Sequence, residues 1–291
     1  MADGTGGLAF LQTLAAQYLS LVKATDRYLV DCPKISISEQ IEDAYQRYAV
    51  VGSQKPNFIP TFHIAGIRGP EQITTYGLSV ATIKDWARRN GVSVTAFLTA
   101  VLAMAVLQLQ RTPKQTAKTL RIAVPIDLRK RLPTQTLKNF TLNTSVAFDY
   151  AHVWTLASAC QYVSKHLQAA TEPKVLAQRC GAVARLKHLG QWLPNAVSRW
   201  LVQQSLRSSW LNHTLTFSNL GQVAWPKPLM TEVEDLQMAF SPKPESAYSC
   251  SAISVGDQLH LTLVRTILRP VLEEQITKQF DQLGISYDVL T

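Results

Sequence analysis

Apolar residues near the start of the chain recur at helical spacing. Leu8, Leu11, Leu14 and Ala15, Tyr18, Leu19 and Val22 share one face, which predicts a helix over Gly4 to Val22. Ser36 or Ser38 caps a second helix running through Tyr48, and the stretch VGSQKPNFIPTFHIAGIRGP that follows has the Gly and Pro content of a long connection. Residues from Gln72 to Leu78 are strand-like. Ser79 then caps a helix from Val80, which Gly91 ends after Asn90. The run VSVTAFLTAVLAMAVLQL, Val92 to Leu109, is apolar on every side, yet it carries Ser93, Thr95, Thr99 and Gln108 and sits at the short end for a bilayer. It predicts a helix buried within a domain rather than an integral membrane span.

From Leu120 the pattern changes to strands: LRIAVPIDL, then NFTLNTSVAFDY with alternating apolar positions. Three helical segments follow, near His152 to Ala170, Pro173 to Leu189 and Leu193 to Leu206. Strands return with LTFSNLG, DLQMAF, AYSCSAIS and QLHLTLVRTI, and Pro270 opens a last helix, VLEEQITKQFDQL. The fold class this implies is α/β or α+β around a mixed sheet. Helices dominate before Leu120 although such helices need a sheet to cover, so residues 1–111 read as part of one domain lacking sheet partners and residues 112–291 as a second, self-contained domain.

Composition narrows the class. A chain of 291 residues, 46% hydrophobic and 17% charged, can bury a substantial core. No basic region followed by a short apolar run and a cleavage site opens it, so a cytoplasmic location is expected, and the acceptor triplets at Asn139, Asn143 and Asn212 carry no weight as glycosylation sites. Cys32, Cys160, Cys180 and Cys250 are scattered, with no CxxC pair, which predicts reduced and mostly buried thiols and no metal site. The net charge of +9 would suit nucleic acid, membrane phosphates or an acidic small molecule. Basic residues thicken between Lys114 and Lys138, but no nucleic-acid-binding signature accompanies them, so no nucleic-acid partner is expected.

There is no G-x-S-x-G elbow, no HExxH and no P-loop. Gly4, Gly6 and Gly7 make a Gly-rich helix start that could in principle hold a phosphate, although no strand precedes it. Asp3 suits the N-cap of that helix.

Four stretches, DGTGGLAFL, GVSVTAFLTAVLAMAV, LRIAVPIDLRKRLPTQTLKNF and LTFSNLGQVAWP, in that order resemble the chloramphenicol-acetyltransferase-like superfamily. The nearest look is to bacterial alcohol acetyltransferase-type proteins, relatives of the condensation domains of peptide synthetases. The resemblance runs almost from end to end, and it implies a two-domain mixed-sheet fold with acyl donor and acceptor meeting in a tunnel between domains. It also implies an HHxxxDG motif in which the second His is the general base and the Asp shapes the loop through an ion pair. Asp3 and Gly4 match the last two positions, so both histidines would fall before Met1 and the first domain would be incomplete. None of His63, His152, His166, His188, His213 and His260 lies in a recognised catalytic motif.

The resemblance makes Arg129 the expected ion-pair partner of Asp3, although beside Lys130 and Arg131 it reads equally as a surface arginine. Ser218, Asn219 and Gly221 fall where the family brings a strand and turn toward the tunnel, and their groups could polarise a thioester carbonyl. The same residue types also suit a strand that ends in an Asn-containing turn closed by Gly. Asn139 and Phe140 match the family's G-N-F strand, with Lys138 replacing Gly. The implied activity is acyl transfer, acetyl or longer, from acyl-CoA or an acyl-carrier protein to a small alcohol, with no bound cofactor. This chain, lacking the base, is expected to be inactive. The alternative is a binding or interaction protein that keeps the fold without turnover.

Overall fold

The computed structural model describes residues 2–29, 36–52, 61–109, 119–192, 194, 197, 200 and 213–290. Helix α1 (Gly4–Val22) is followed by two single-turn helices, α2 (Ile37–Gln40) and α3 (Ala44–Arg47). One helix was expected here. The break arises because the 134–138 loop takes the carbonyls that would continue it: Leu137 N donates to Gln40 O at 2.9 Å, and Thr136 Oγ1 donates to Glu42 O at 2.8 Å. Asp43 then starts α3 afresh by capping Tyr45 N.

Strand β1 (Arg68–Ser79) leads into α4 (Val80–Arg89), capped by Ser79 as expected, and Gly91 reverses the chain at φ +65° before α5 (Val94–Leu109). Then come β2 (Leu120–Asp127), β3 (Thr141–Phe148), α6 (Leu156–Ala170), α7 (Pro173–Gln191) and β4 (Leu215–Gln222). Helix α8 (Lys227–Met230), β5 (Tyr248–Val255), β6 (Gln258–Ile267), α9 (Val271–Leu283) and β7 (Tyr287–Leu290) complete the order. The four-residue β7 was not anticipated; it pairs antiparallel with β1 at the sheet edge. The helix expected over Leu193–Leu206 lies largely outside the described residues.

All seven strands form one mixed sheet in the order β3-β2-β4-β5-β6-β1-β7, parallel only across β2–β4 and β4–β5. The expected domain boundary at residues 111–112 falls outside the described residues, and the chain on both sides of it contributes strands to this sheet.

Each strand alternates between two unlike faces. One face carries Tyr76, Leu78, Ile122, Val124, Val146, Phe148, Phe217, Cys250, Leu261 and Leu263, which merge with α4, α5, α6 and α9 in a single core. Helix α5 lies at its heart, buried almost all round from Ala96 to Val106, so uniform apolarity marks a core helix. No single described helix is long and apolar enough to cross a membrane; α4 and α5 pass that test only as a pair bent by 86°. Cys160, Cys180 and Cys250 are free and buried, and burial pushes the Cys160 thiol up to about 11.

The opposite face is more polar, with Thr75, Ser249, Ser251, His260 and Thr262 all buried on it, while Ile253 and Val255 of β5 form a smaller apolar cluster there with Ala16 of α1. Above β5, β6 and β1 runs the segment 236–240, an expected strand that joins no ladder. Its alternate carbonyls are taken by side chains of the sheet below: Leu236 O lies 3.1 Å from His260 Nδ1, Met238 O accepts from Ser251 Oγ and Phe240 O from Ser249 Oγ. Gln237 Oε1 accepts from Thr75 Oγ1 at 3.0 Å. The apolar alternation at 236, 238 and 240 does mark extended chain. Its hydrogen-bond partners are hydroxyls and an imidazole, so it forms a strap over the sheet.

Candidate functional site

A cleft of about 680 Å³ opens on the polar face where three elements meet. Its floor is β2, β3 and β4, through Pro125, Asp127, Thr141, Asn143, Thr216 and Ser218; the first turn of α1 closes one side and strap residues Met238, Ala239 and Phe240 another. The volume lies within the range typical of small-molecule sites, about 300–1,000 Å³.

Asp3 organises the α1 side. Its Oδ1 accepts from Gly6 N at 2.9 Å, capping the helix, while Oδ2 accepts from Arg129 Nη1 and from Phe140 N, both at 2.8 Å. The carboxylate therefore occupies the Gly-rich helix start, leaving that N-terminus to Asp3 rather than to a phosphate. Arg129 is held from every side: Nη1 also donates to Asp127 Oδ1 at 3.0 Å, Nε to Thr136 O at 3.0 Å and Nη2 to Lys138 O at 2.7 Å. Asp127 completes the node by accepting from Thr5 Oγ1 at 3.1 Å. Burial opposes the guanidinium's charge, but the hydrogen bonds and charges of Asp3 and Asp127 outweigh it, so the pKa of Arg129 stands above the ordinary arginine value. With side-chain exposures of 13% and 5%, Arg129 and Asp3 form a buried pair, which fixes geometry more dependably than it adds stability.

The glycines of α1 serve this docking. A Cβ on Gly6 would come within 2.4 Å of the backbone oxygen of Leu137, and one on Gly4 within 2.8 Å of Leu220 Cδ2. The first contact seats α1 on the loop that carries Arg129; the second seats it on the end of β4.

At that end of β4 the residues divide their work. Gly221, at φ +79°, closes a turn in which its N–H donates to Asn219 Oδ1 at 2.8 Å, and the β4–β5 register shifts between Asn219 and Gly221. Asn219 Nδ2 donates to Thr95 Oγ1 at 3.0 Å, tying the turn to the start of α5. Its amide is thus engaged in structure, whereas the Ser218 hydroxyl faces the cleft without a hydrogen-bond partner among the described residues. Asn139 Oδ1 accepts from Thr141 Oγ1 at 2.8 Å, turning the chain into β3. Lys138, where the resemblance expects Gly, is exposed, and its carbonyl is spent on Arg129.

Five of the seven expected site residues, Asp3, Gly4, Asn139, Ser218 and Asn219, line the cleft; Arg129 supports it from behind, and Gly221 shapes its edge. Thr5, Asp127, Lys130, Asn143, Thr216, Met238 and Phe240 also line it and were not anticipated. The signal for several was present in the alternation of β2 and β3, which puts Pro125 and Asp127 on the same face as Thr141 and Asn143. None of the six histidines is among the described lining residues: His152, His166 and His188 contact Trp154, Tyr162 and Trp192, and His260 lies beneath the strap.

The mixed seven-stranded sheet with its helices is the chloramphenicol-acetyltransferase-like fold of acyltransferases and condensation domains, by its likeness to solved structures of both. The chain belongs to the alcohol acetyltransferase family, whose model matches residues 71–257. Among solved structures it is similar to TRI101 of F. sporotrichioides, complexed with coenzyme A and T-2, at TM-score 0.62 and 14% identity over 98% of this chain and 64% of that one. The epimerization domain of the third module of tyrocidine synthetase B matches at TM-score 0.58 and 13% identity, over 97% of this chain and 66% of that one. TRI3 trichothecene 15-O-acetyltransferase from Fusarium sporotrichioides matches at TM-score 0.54 and 12% identity, over 97% and 63%. The chain thus spans just under two thirds of the length of these structures. No curated protein sequence matches it.

Proposed function

We propose that this protein serves acyl transfer from acyl-CoA to a small alcohol, with the reacting carbonyl seated in the cleft beside Ser218. The observation that carries this reading is the convergence of three sequence-distant stretches, the Asp3 turn, the Asp127–Arg129 corner and the Ser218–Gly221 turn, on one cleft in a chain of the alcohol acetyltransferase family. In the reaction the alcohol oxygen bonds to the thioester carbon and its proton passes to a base. The C–S bond breaks, and the coenzyme A thiolate takes up that proton, leaving ester and free thiol. Asp3, Arg129 and Asp127 hold the loop. The Ser218 hydroxyl donates to the carbonyl oxygen as negative charge develops there. Lys130 and the net charge of +9 suit the phosphates of coenzyme A and equally an acidic acyl-carrier protein. Buried free thiols support a reducing, cytoplasmic setting.

The cleft's described residues include no imidazole to take the alcohol's proton, and general-base assistance contributes about 10²–10⁴-fold. We therefore assign the base to an imidazole outside the cleft's described lining, as the HHxxxDG resemblance at Asp3 and Gly4 implies. The missing imidazole also favours a second reading, a binding protein without turnover. A thiol-release assay with acetyl-CoA and a panel of alcohols tests both, run on this chain and on one extended upstream in frame. Alcohol-dependent release by the extended form alone supports the first reading. Release by this chain at an equal rate overturns the assignment of the base, and release by neither form leaves the binding reading.

A further inference from the structure

The strap divides the cleft into unlike walls. Its floor is polar, through Asp127, Thr141, Asn143, Thr216 and Ser218, whereas Leu8, Leu220, Met238 and Phe240 give the side toward the strap an apolar surface. Met238 packs in one cluster with Leu8 and Leu220, so α1, the β4 bulge and the strap are joined. Phe240 stands outside that cluster, at the end of the strap, half-buried at the cleft. The strap backbone is fixed from below by Ser251 on Met238 O and Ser249 on Phe240 O, both serines being buried. A wall held by side-chain hydroxyls has a defined position without belonging to the sheet.

We propose that the strap is the selectivity wall of the cleft: Phe240 limits the length of the unbranched aliphatic chain accepted there, with Met238 as its side, and Ser249 and Ser251 are positioning residues that set where the wall stands. This deepens the acyl-transfer reading and rests on it. The aliphatic chain belongs either to the acyl group or to the alcohol. An apolar wall rewards each buried methylene by about fourfold in affinity until the chain meets a fixed stop. A phenyl ring on a pinned backbone is such a stop.

The test is calorimetric titration of the whole chain with straight-chain acyl-CoAs from acetyl to octanoyl, and competition by primary alcohols from ethanol to octanol. Phe240→Ala moves the affinity optimum to longer chains, gaining about fourfold per added methylene beyond the wild-type limit, and Phe240→Trp moves it to shorter ones. The series whose optimum moves, thioester or alcohol, identifies the source. The double variant Ser249→Ala with Ser251→Ala flattens the length dependence, and Ser251→Thr, which keeps the hydroxyl, retains it. Circular dichroism and thermal melts establish that each variant is folded, and Phe240→Leu replaces Phe240→Ala if the latter is not. Thioester binding whose optimum is the same in wild type and every folded Phe240 variant, in both series, overturns the selectivity wall and leaves the acyl-transfer reading standing. If the wild-type chain binds no thioester at all, that reading fails and the selectivity wall falls with it.

Discussion

The two faces of the sheet are built from the same strands and obey different rules. Toward the helices, consecutive strands present Phe148, Ile122, Phe217, Cys250, Leu261 and Tyr76, and polar groups are scarce. Toward the cleft, the neighbours of those residues are Ala123, Ser218, Ser251, Thr262 and Thr75, and what lies above is joined by hydrogen bonds together with a smaller apolar cluster that Ile253 and Val255 form with α1 and the strap. The first face obtains its stability from non-directional burial and tolerates only residues of the right volume. The second is more directional: Ser249 and Ser251 each hold one strap carbonyl, and Thr75 joins Thr262 and Gln237. A sheet arranged this way separates what keeps it folded from what shapes its cleft, residue by residue along each strand.

Adjacent residues of β4 test that separation most directly. Phe217→Ala should cost about 3–5 kcal/mol in urea denaturation, because a fully buried aromatic leaves a cavity beneath α5. Ser218→Ala should leave the denaturation midpoint unmoved and, under the proposed acyl transfer, lower alcohol-dependent thiol release about a hundredfold, the effect of losing one oxyanion donor. Equal stability losses at the two positions would erase the distinction between the faces.

The Asp3–Arg129 node is where the two regimes meet, since it is buried but directional. Arg129→Met removes the cation from Asp3, whose side chain is 5% exposed, and should cost about 3–5 kcal/mol, a loss typical of stranding one member of a buried pair. Asp3→Asn should cost less than Asp3→Ala, because the amide oxygen still caps α1 through Gly6 N. Chemical denaturation of the three variants gives the ranking, and an Arg129→Met chain as stable as the wild type would show that the node does not hold the loop.

Much of this was legible in the sequence. Strands β2 to β6 and helices α6 and α7 follow from periodicity because the helix-facing positions are nearly all apolar, and the Asp3–Arg129 contact followed from motif resemblance. Other features depend on partners distant in sequence. Nothing local in SISEQIEDAYQRY says that Thr136 and Leu137 will take the carbonyls of Gln40 and Glu42. Likewise LQMAF alternates as a strand does, and only the hydroxyls of Ser249 and Ser251 beneath it decide that it becomes a strap. Asp127 was missed because its role needs the short turn that folds Arg129 back over it, with Arg129 N donating to Asp127 Oδ1 at 3.1 Å. On the strap, Ser251→Ala should destabilise by about 1–3 kcal/mol, since a buried carbonyl loses its donor. Because the strap joins no ladder, its amides should exchange faster than those of the buried helix α5, and slower exchange there would contradict its description as a strap.

The smallest effect has the sharpest sign. DGTGG holds two adjacent glycines in the first turn of α1 that a sequence cannot tell apart, and the structure separates them. At Gly6 a methyl group would meet the Leu137 oxygen at 2.4 Å, an atom of the backbone that cannot turn aside. Gly6→Ala must therefore lift α1 off the loop bearing Arg129, for about 1–3 kcal/mol of strain. At Gly7 nothing lies within 4 Å of the added methyl. Gly7 is exposed inside a helix, where alanine is favoured over glycine because the unfolded chain loses freedom that the helix does not need, so Gly7→Ala should stabilise by about 0.5–1 kcal/mol. Thermal melts of the two single variants, run side by side, should move in opposite directions from the wild type. If both stabilise, α1 does not sit against Leu137 as described, and the Asp3 node that depends on that seating must be redrawn. If both destabilise, the outer side of the first turn is covered by something that the Gly7 methyl would displace.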